Sequence, residues 1–230
     1  MSADAGAPSL SVQVHIRASE RFALDVDFVV PPGVTALLGR SGSGKSTTLA
    51  AIAGLIRPHT GRVSLGEDAW FDSTARIDVA VHRRRVALLF QSLALFPHMT
   101  AVQNVAYGME RRRAPQRARA LEWLERLQVS HVADRRPDTF SGGEAQRVAL
   151  ARAMASSPRV VLLDEPFTAV DTELRRELLA DVRVFVRSLG VPVVLVTHDR
   201  REASLLADRF VVLEAGRVAH TGAGRELGAP

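Results

Sequence analysis

With 230 residues, 47% of them hydrophobic and 24% charged, the chain has a globular composition, which excludes a disordered or collagen-like protein. Its 30 Lys and Arg against 25 Asp and Glu give a formal charge of +5, and the lack of cysteine excludes disulfides and thiolate metal sites. No apolar run reaches the ~18 residues of a membrane-spanning helix, and Met-Ser-Ala-Asp-Ala-Gly at the start lacks the basic-then-apolar pattern of a secretory signal, so a soluble, cytosolic chain is expected.

Leu10–Ile16 alternates apolar and polar residues and predicts a half-buried strand. Leu24, Val26, Phe28 and Val30 predict a second strand, ended by Pro31-Pro32-Gly33. Val34–Leu38 is a nearly continuous apolar run, the mark of a strand covered on both faces. A glycine-rich loop follows, then a helix from about Lys45 to Leu55 with Leu49, Ile52, Ala53 and Ile56 on one side. Arg85–Phe90 reads as another buried strand. From about 100 to 157 the pattern turns helical, with Ala118-Leu121-Leu124-Leu127 and Ala145-Val148-Ala149-Ala153 at helical spacing. Val160–Asp164 returns to buried strand. Leu174, Leu178, Val182, Phe185 and Leu189 predict a long amphipathic helix, and Val193–Thr197 and Phe210–Leu213 two further strands, the last turning through Glu214-Ala-Gly216 into Arg217-Val-Ala. Strands alternating with helices imply a mostly parallel sheet; the two alternating strands at the front and the final hairpin predict an antiparallel edge.

Gly39-Arg40-Ser41-Gly42-Ser43-Gly44-Lys45-Ser46 fits the pattern G-x-x-x-x-G-K-[ST], with a buried strand before it and a helix after. Glycines let backbone N–H groups wrap phosphate oxygens, and the helix N-terminus adds a favourable dipole. Lys45 reaches the β- and γ-phosphates in such a loop, and the Ser46 hydroxyl binds Mg²⁺. The basic residues are 29 arginines and one lysine, Lys45. Arginine has replaced lysine wherever charge alone matters, so the lysine that remains marks a place where a compact ammonium on a flexible stem is needed. By contrast Arg83–Arg85 and Arg111–Arg113 read as solvated faces, and no nucleic-acid partner is expected from them. Val160-Val-Leu-Leu-Asp164-Glu165 supplies two carboxylates at a strand's carboxyl end, one able to hold Mg²⁺ and the next to orient attacking water.

Phe140-Ser141-Gly142-Gly143-Glu144-Ala145-Gln146-Arg147 opens a helix with a backbone-rich turn, a second anion site. Here the sequence resembles the ATP-binding cassette family, whose signature reads LSGGQ followed by a Gln-Arg pair. Gln91 resembles the family's glutamine loop, Thr168-Ala-Val-Asp171 the short loop after the second acidic motif, and Val196-Thr-His198-Asp199 the strand end with the switch histidine. The resemblance covers nearly the whole chain. It implies an α/β fold: a P-loop NTPase core with a mostly parallel sheet, an antiparallel β edge and an inserted helical subdomain. The chain would form one domain over 1–230, with 1–91 and 158–230 as nucleotide-binding core and about 92–157 as helical signature subdomain. The resemblance further implies that Gly39 to Ser46 with Thr47 bind ATP, that Ser46 and Gln91 contact Mg²⁺ and that Asp164 supports it. Glu165 would polarise water and His198 sense the γ-phosphate. Two subunits would pack head to tail, as a homodimer or with a paired cassette, so that Ser141, Gly142, Gly143 and Asp171 serve the composite sites.

Departures are Phe140 for the family's leucine, Glu144 for its glutamine and Thr168-Ala-Val-Asp171 for the usual Ser-Ala-Leu-Asp. The loop Arg17–Arg21 offers no aromatic residue to stack on adenine, which leaves Phe22. Leu95–Thr100 and Asn104–Gly108 resemble the importer segment beside the docking place of membrane subunits. Phe22–Phe28, Val34–Leu38 and Ile77–Arg85 resemble molybdate and related oxyanion cassettes. Expected partners are therefore membrane permease subunits and, through them, a solute-binding protein, with the chain peripheral on the cytoplasmic face. The alternative is a non-transport cassette ATPase acting on nucleic acid or ribosomes. A GTPase needs an Asn-Lys-x-Asp segment, which a chain whose one lysine is Lys45 lacks.

Overall fold

The computed structural model describes residues 7–19, 22–90, 92–109, 116–167 and 190–228, together with 175, 179, 180, 182, 183, 186 and 187. The strands are β1 (Leu10–Ser19), β2 (Phe22–Val30), β3 (Gly33–Leu38), β4 (Thr60–Leu65), β5 (Asp68–Asp72), β6 (Ile77–Asp78), β7 (Val86–Leu89), β8 (Val160–Asp164), β9 (Pro192–Val196), β10 (Arg209–Glu214) and β11 (Arg217–Ala223). The helices are α1 (Lys45–Ala53), α2 (Val81–Arg84), α3 (Ala101–Tyr107), α4 (Gln116–Arg126), α5 (Gly142–Ala155) and α6 (Arg200–Leu206). The described residues between 175 and 187 are also helical, with Leu179, Val182 and Val186 buried. Of the helix predicted there, Leu174, Leu178, Phe185 and Leu189 lie outside the described residues.

Among the described residues, these eleven strands join one sheet in the order β6-β5-β4-β1-β2-β11-β10-β3-β9-β8-β7. The half from β10 to β7 is parallel, whereas β1, β2, β4, β5 and β6 pair antiparallel, as do β10 and β11. The apolar runs have a direct cause. On β8, Val161 and Leu163 enter a core shared with α3, α4 and α5, while Val160 and Leu162 enter one shared with α1 and the antiparallel strands. β9 divides its side chains the same way, Val193 and Leu195 against Val194 and Val196. A strand with a core on each face cannot alternate with polar residues, and each fully buried Val or Leu contributes about 1.5–3 kcal/mol.

Three readings of the sequence are revised. Ile56 leaves the apolar face of α1, because the helix stops at Gly54, whose φ of 82° turns the chain outward. On α4 the buried face is Ala120 and Leu124, continued by Leu127, with Ala118 exposed. α5 buries Val148, Ala149, Leu150, Ala151, Met154 and Ala155, almost its whole circumference, since it packs between α3, α4 and β7. Strands β4, β5 and β6 are additional to the predicted elements.

The end of α1 is fixed by Arg84, which is 1% exposed. Its guanidinium donates to the carbonyls of Ala51 and Ile52 at 3.0 Å each and to Val79 O at 2.9 Å, and it meets Asp78 at 3.3 Å. A cation at the carbonyl end of a helix also complements the helix dipole. The helix that starts at the glycine loop is thus anchored at its far end.

Candidate functional site

The loop between β3 and α1 is shaped by its glycines. Gly39 has φ 150°, and a Cβ there would collide with the Leu213 carbonyl and the Ser43 hydroxyl. Gly44 caps α1 at φ 106°, pressed against Leu24 and Phe22. From the other side the β10–β11 turn holds the loop, with Gly216 N–H donating to Ser43 O at 3.2 Å. The first turn of α1 has neither an acidic residue nor a side-chain cap, so its N–H groups are open to an anion. Lys45, 7% exposed, donates from Nζ to Gly39 O at 2.8 Å and Arg40 O at 3.0 Å. The buried Ser43 Oγ has no hydrogen-bond partner among the described residues. A buried hydroxyl without a partner is rare, and one on a residue that lines the cavity at the glycine loop fits a site made for phosphate oxygens.

Strands β8 and β9 bring the acidic pair to this loop. Ser46 hydrogen-bonds to the Asp164 carboxylate, and Lys45 and Glu165 lie within electrostatic reach of it. Burial raises the Asp164 carboxyl above its ordinary range; Glu165 adds to the rise, and Ser46 and Lys45 oppose it. Glu165 is left-handed at φ 46° and donates its N–H to Val196 O at 3.0 Å. This conformation costs a side chain about 1–3 kcal/mol, and it sets the carboxylate Oε2 3.4 Å from His198 Nδ1. A cavity of about 410 Å³ runs between Phe22, Ser41, Gly42, Gly44, Lys45, Ser46, Thr47, Glu165 and His198. A second, of about 1080 Å³, adjoins it along Gly39, Arg40, Ser43, Arg200 and the turn Leu213–Ala215, sharing Phe22, Ser41, Gly42 and His198.

Of the site residues read from the sequence, Gly39 to Thr47, Asp164, Glu165 and His198 therefore converge. Gln91 and Asp171, with Thr168-Ala-Val, lie outside the described residues. Ser141, Gly142 and Gly143 line neither cavity. They form the start of α5, where Ser141 Oγ accepts from Glu144 N–H at 3.2 Å and Glu144 Oε2 from Ser141 N–H at 2.7 Å. Glu144 also meets His131 at 2.9 Å and Arg135 at 3.5 Å. The Ser141 backbone bond, then His131, hold its carboxyl below the ordinary range. Arg200 and Glu214 were not legible as site residues; only the folding of β10 and α6 beside the loop shows them, and no local motif marks either.

On the helical side, buried Asn104 gathers the segment before α3, accepting from Phe96 N–H at 2.9 Å and donating to Phe96, Met99 and Thr100 carbonyls. Phe96 and Tyr107 pack with ring centroids 4.5 Å apart, and Arg152 lies over Phe96. Around them Ala87, Ala94, Gly108, Ala153 and Ser156 complete an open groove of about 340 Å³. Among the described residues no helix is long and apolar enough to cross a membrane.

Comparison with known proteins agrees with this geometry. A family model described as ABC transporter matches residues 24–168. The molybdenum import ATP-binding protein ModC of Mycobacterium tuberculosis is 47% identical over 207 residues, 86% of this chain and 56% of its own length. The sulfate/thiosulfate import ATP-binding protein CysA of Thermosynechococcus vestitus is 47% identical over 88% of this chain and 60% of its own length. The chain thus spans a little over half the length of these curated relatives. A solved dimeric ATP-binding cassette in a post-hydrolysis state with ADP and Pi superposes with a TM-score of 0.78 at 28% identity, covering 94% of this chain and 99% of that one.

Proposed function

Because this chain belongs to the ABC transporter family, we propose that it is the ATP-hydrolysing subunit of an importer, working as a dimer beneath separate membrane subunits on the cytoplasmic face. The observation that carries the proposal is the convergence of Lys45, Ser46, Asp164, Glu165 and His198 on the loop cavity. Lys45 and the α1 N-terminus hold the ATP phosphates. Ser46 and Asp164 are hard oxygen donors already joined by a hydrogen bond, a pair suited to Mg²⁺. When bound there, Mg²⁺ would neutralise phosphate charge. Glu165 orients and deprotonates the attacking water, and His198, next to its carboxylate, keeps that carboxylate aimed at the γ-phosphate. Phe22, which lines both cavities, is the candidate to stack on the base. Residues 92–157 act as the signature subdomain, and Ser141 and Gly143 complete the partner's phosphate shell, which is why the sites fire only when the dimer closes. The groove at Phe96 and Tyr107 receives the membrane subunit. Similarity to ModC and CysA supports an oxyanion as solute, and among these molybdate, delivered through a solute-binding protein.

The test compares phosphate release by the chain and by Glu165→Gln in Mg-ATP. Hydrolysis should fall by a factor on the order of 10² or more, while the variant runs as an ATP-dependent dimer on size exclusion. Equal turnover in both, with no dimer, refutes the proposal. Cells lacking the gene should accumulate less molybdenum, measured by elemental mass spectrometry, with restoration by the wild-type gene and not by Glu165→Gln.

A further inference from the structure

Two buried acids among the described residues, Asp72 on β5 and Glu202, remain outside this machinery. Glu202 lies in the first turn of α6 and is 6% exposed. Its Oε2 accepts a 2.6 Å hydrogen bond from Thr197 Oγ1, itself 2% exposed. The same hydroxyl accepts from Asp199 N–H at 3.0 Å. A hydroxyl has one proton to give; giving it to Glu202 leaves its lone pairs for Asp199, so the carboxylate fixes the polarity of the bond that closes the turn. His198 is the residue spanned by that turn. Asp199 continues the chain into α6, capping it through Arg201 N–H at 2.7 Å. On its other oxygen, Glu202 faces Arg175 Nη1 at 3.7 Å, from the helical residues that follow Asp171 in sequence.

We propose that Glu202 is a positioning residue for hydrolysis, holding through Thr197 the turn that presents His198 to Glu165, and tying that turn through Arg175 to the segment after residues 168–171. A carboxylate is costly in such a place without a donor, and the buried Thr197 hydroxyl supplies one while Arg175, its side chain 30% exposed, faces the carboxylate from the rim. Burial raises the Glu202 carboxyl; Thr197, Arg175 and His198 work against that rise, and Asp199 adds to it. These groups surround one acid from strand end, turn and neighbouring helix, so the acid senses all three.

The inference rests on the ATPase reading, and its test separates the two. Glu202→Gln keeps an acceptor for Thr197 and removes the charge facing Arg175; Thr197→Val removes the hydroxyl, and Thr197→Ser restores it. Glu202→Gln and Thr197→Val should lower kcat about tenfold or more through misplacement of His198, with the KM for ATP within about twofold, because the phosphate loop is intact. Thr197→Ser should return kcat. In a His198→Ala background, Glu202→Gln should cause no further loss, as expected when two residues act through one. In the nucleotide-free protein, Glu202→Gln should move the His198 ring resonances, identified by their absence in His198→Ala, more than those of the other histidines. Unchanged kcat, effects that multiply with His198→Ala, or an unmoved His198 ring overturn the proposal. Should the wild-type chain hydrolyse no ATP, the ATPase reading fails and the ring resonances alone decide the positioning role. If Glu202→Gln does not fold, the two Thr197 variants carry the same measurements.

Discussion

Replacing Lys45 with alanine separates binding from stability. In the nucleotide-free chain Nζ ties the carbonyls of Gly39 and Arg40 at 2.8 and 3.0 Å. A hydrogen bond with a charged partner contributes about 1.5–3 kcal/mol, so two such bonds redirected to phosphate oxygens amount to about 3–6 kcal/mol. At about 1.4 kcal/mol per factor of ten, Mg-ATP affinity should fall by roughly two to four orders of magnitude. The free chain loses far less. Arg40 is exposed and Gly39 partly so, so water replaces the ammonium at their carbonyls, and a cost of about 1 kcal/mol lowers the melting midpoint by about 2–4 °C. Isothermal titration with Mg-ATP and thermal unfolding of the same preparations measure both quantities. Binding within about threefold of wild type refutes the phosphate role; a midpoint lowered by more than ~10 °C shows instead that the lysine serves the fold.

Asp164→Asn should make the nucleotide-free protein more stable near pH 8. The folded state raises the Asp164 carboxyl, so ionisation there opposes folding; the opposition is absent below the ordinary carboxylate range and grows as pH rises through the raised value. The variant should melt about 2–4 °C higher at pH 8 for each kcal/mol relieved, the gap closing toward pH 4, and Mg-ATP should stabilise only the wild type. Arg84→Met strands the Ala51, Ile52 and Val79 carbonyls, at about 2–4 kcal/mol. Urea unfolding should show that loss, and a change below ~0.5 kcal/mol contradicts the anchor. Mixing Lys45→Ala with Ser141→Arg chains should yield more hydrolysis than the two alone, since one composite site is then intact; no recovery, with no ATP-dependent cross-link between loop and signature, returns Ser141 to a helix cap.

Strands with a core on both faces were legible as apolar runs, and β1 and β2 as alternation. The antiparallel edge beyond them was not. In Thr60–Leu65 three successive residues, Val63, Ser64 and Leu65, are buried, and the β4–β5 register shifts between Val63 and Ser64, so no period of two survives. Asp72 is a buried acid on β5, lowered to about 2 mainly by the Ala75 N–H and then by Thr74, which hides the strand further. Ile56 was misplaced because periodicity continues past a helix end that only the left-handed Gly54 marks. The glycine loop could be read because its residues are contiguous and chemically constrained. Arg200, Glu202 and Glu214 could not, since each gains its place from a strand or helix remote in sequence from the loop.

The singular lysine also makes the phosphate loop addressable by enzymology. A protease that cuts only after lysine has one bond to attack in these 230 residues, Lys45–Ser46, at the first turn of α1. Cleavage requires that turn to unwind, so its rate reports how often the junction opens, locally or with the whole fold. Two fragments, 1–45 and 46–230, accumulate in proportion to the opened population when reclosing outpaces cleavage, and a phosphate ligand that slows their appearance reveals its affinity without a label, a coupled assay or a second reactive position elsewhere in the sequence.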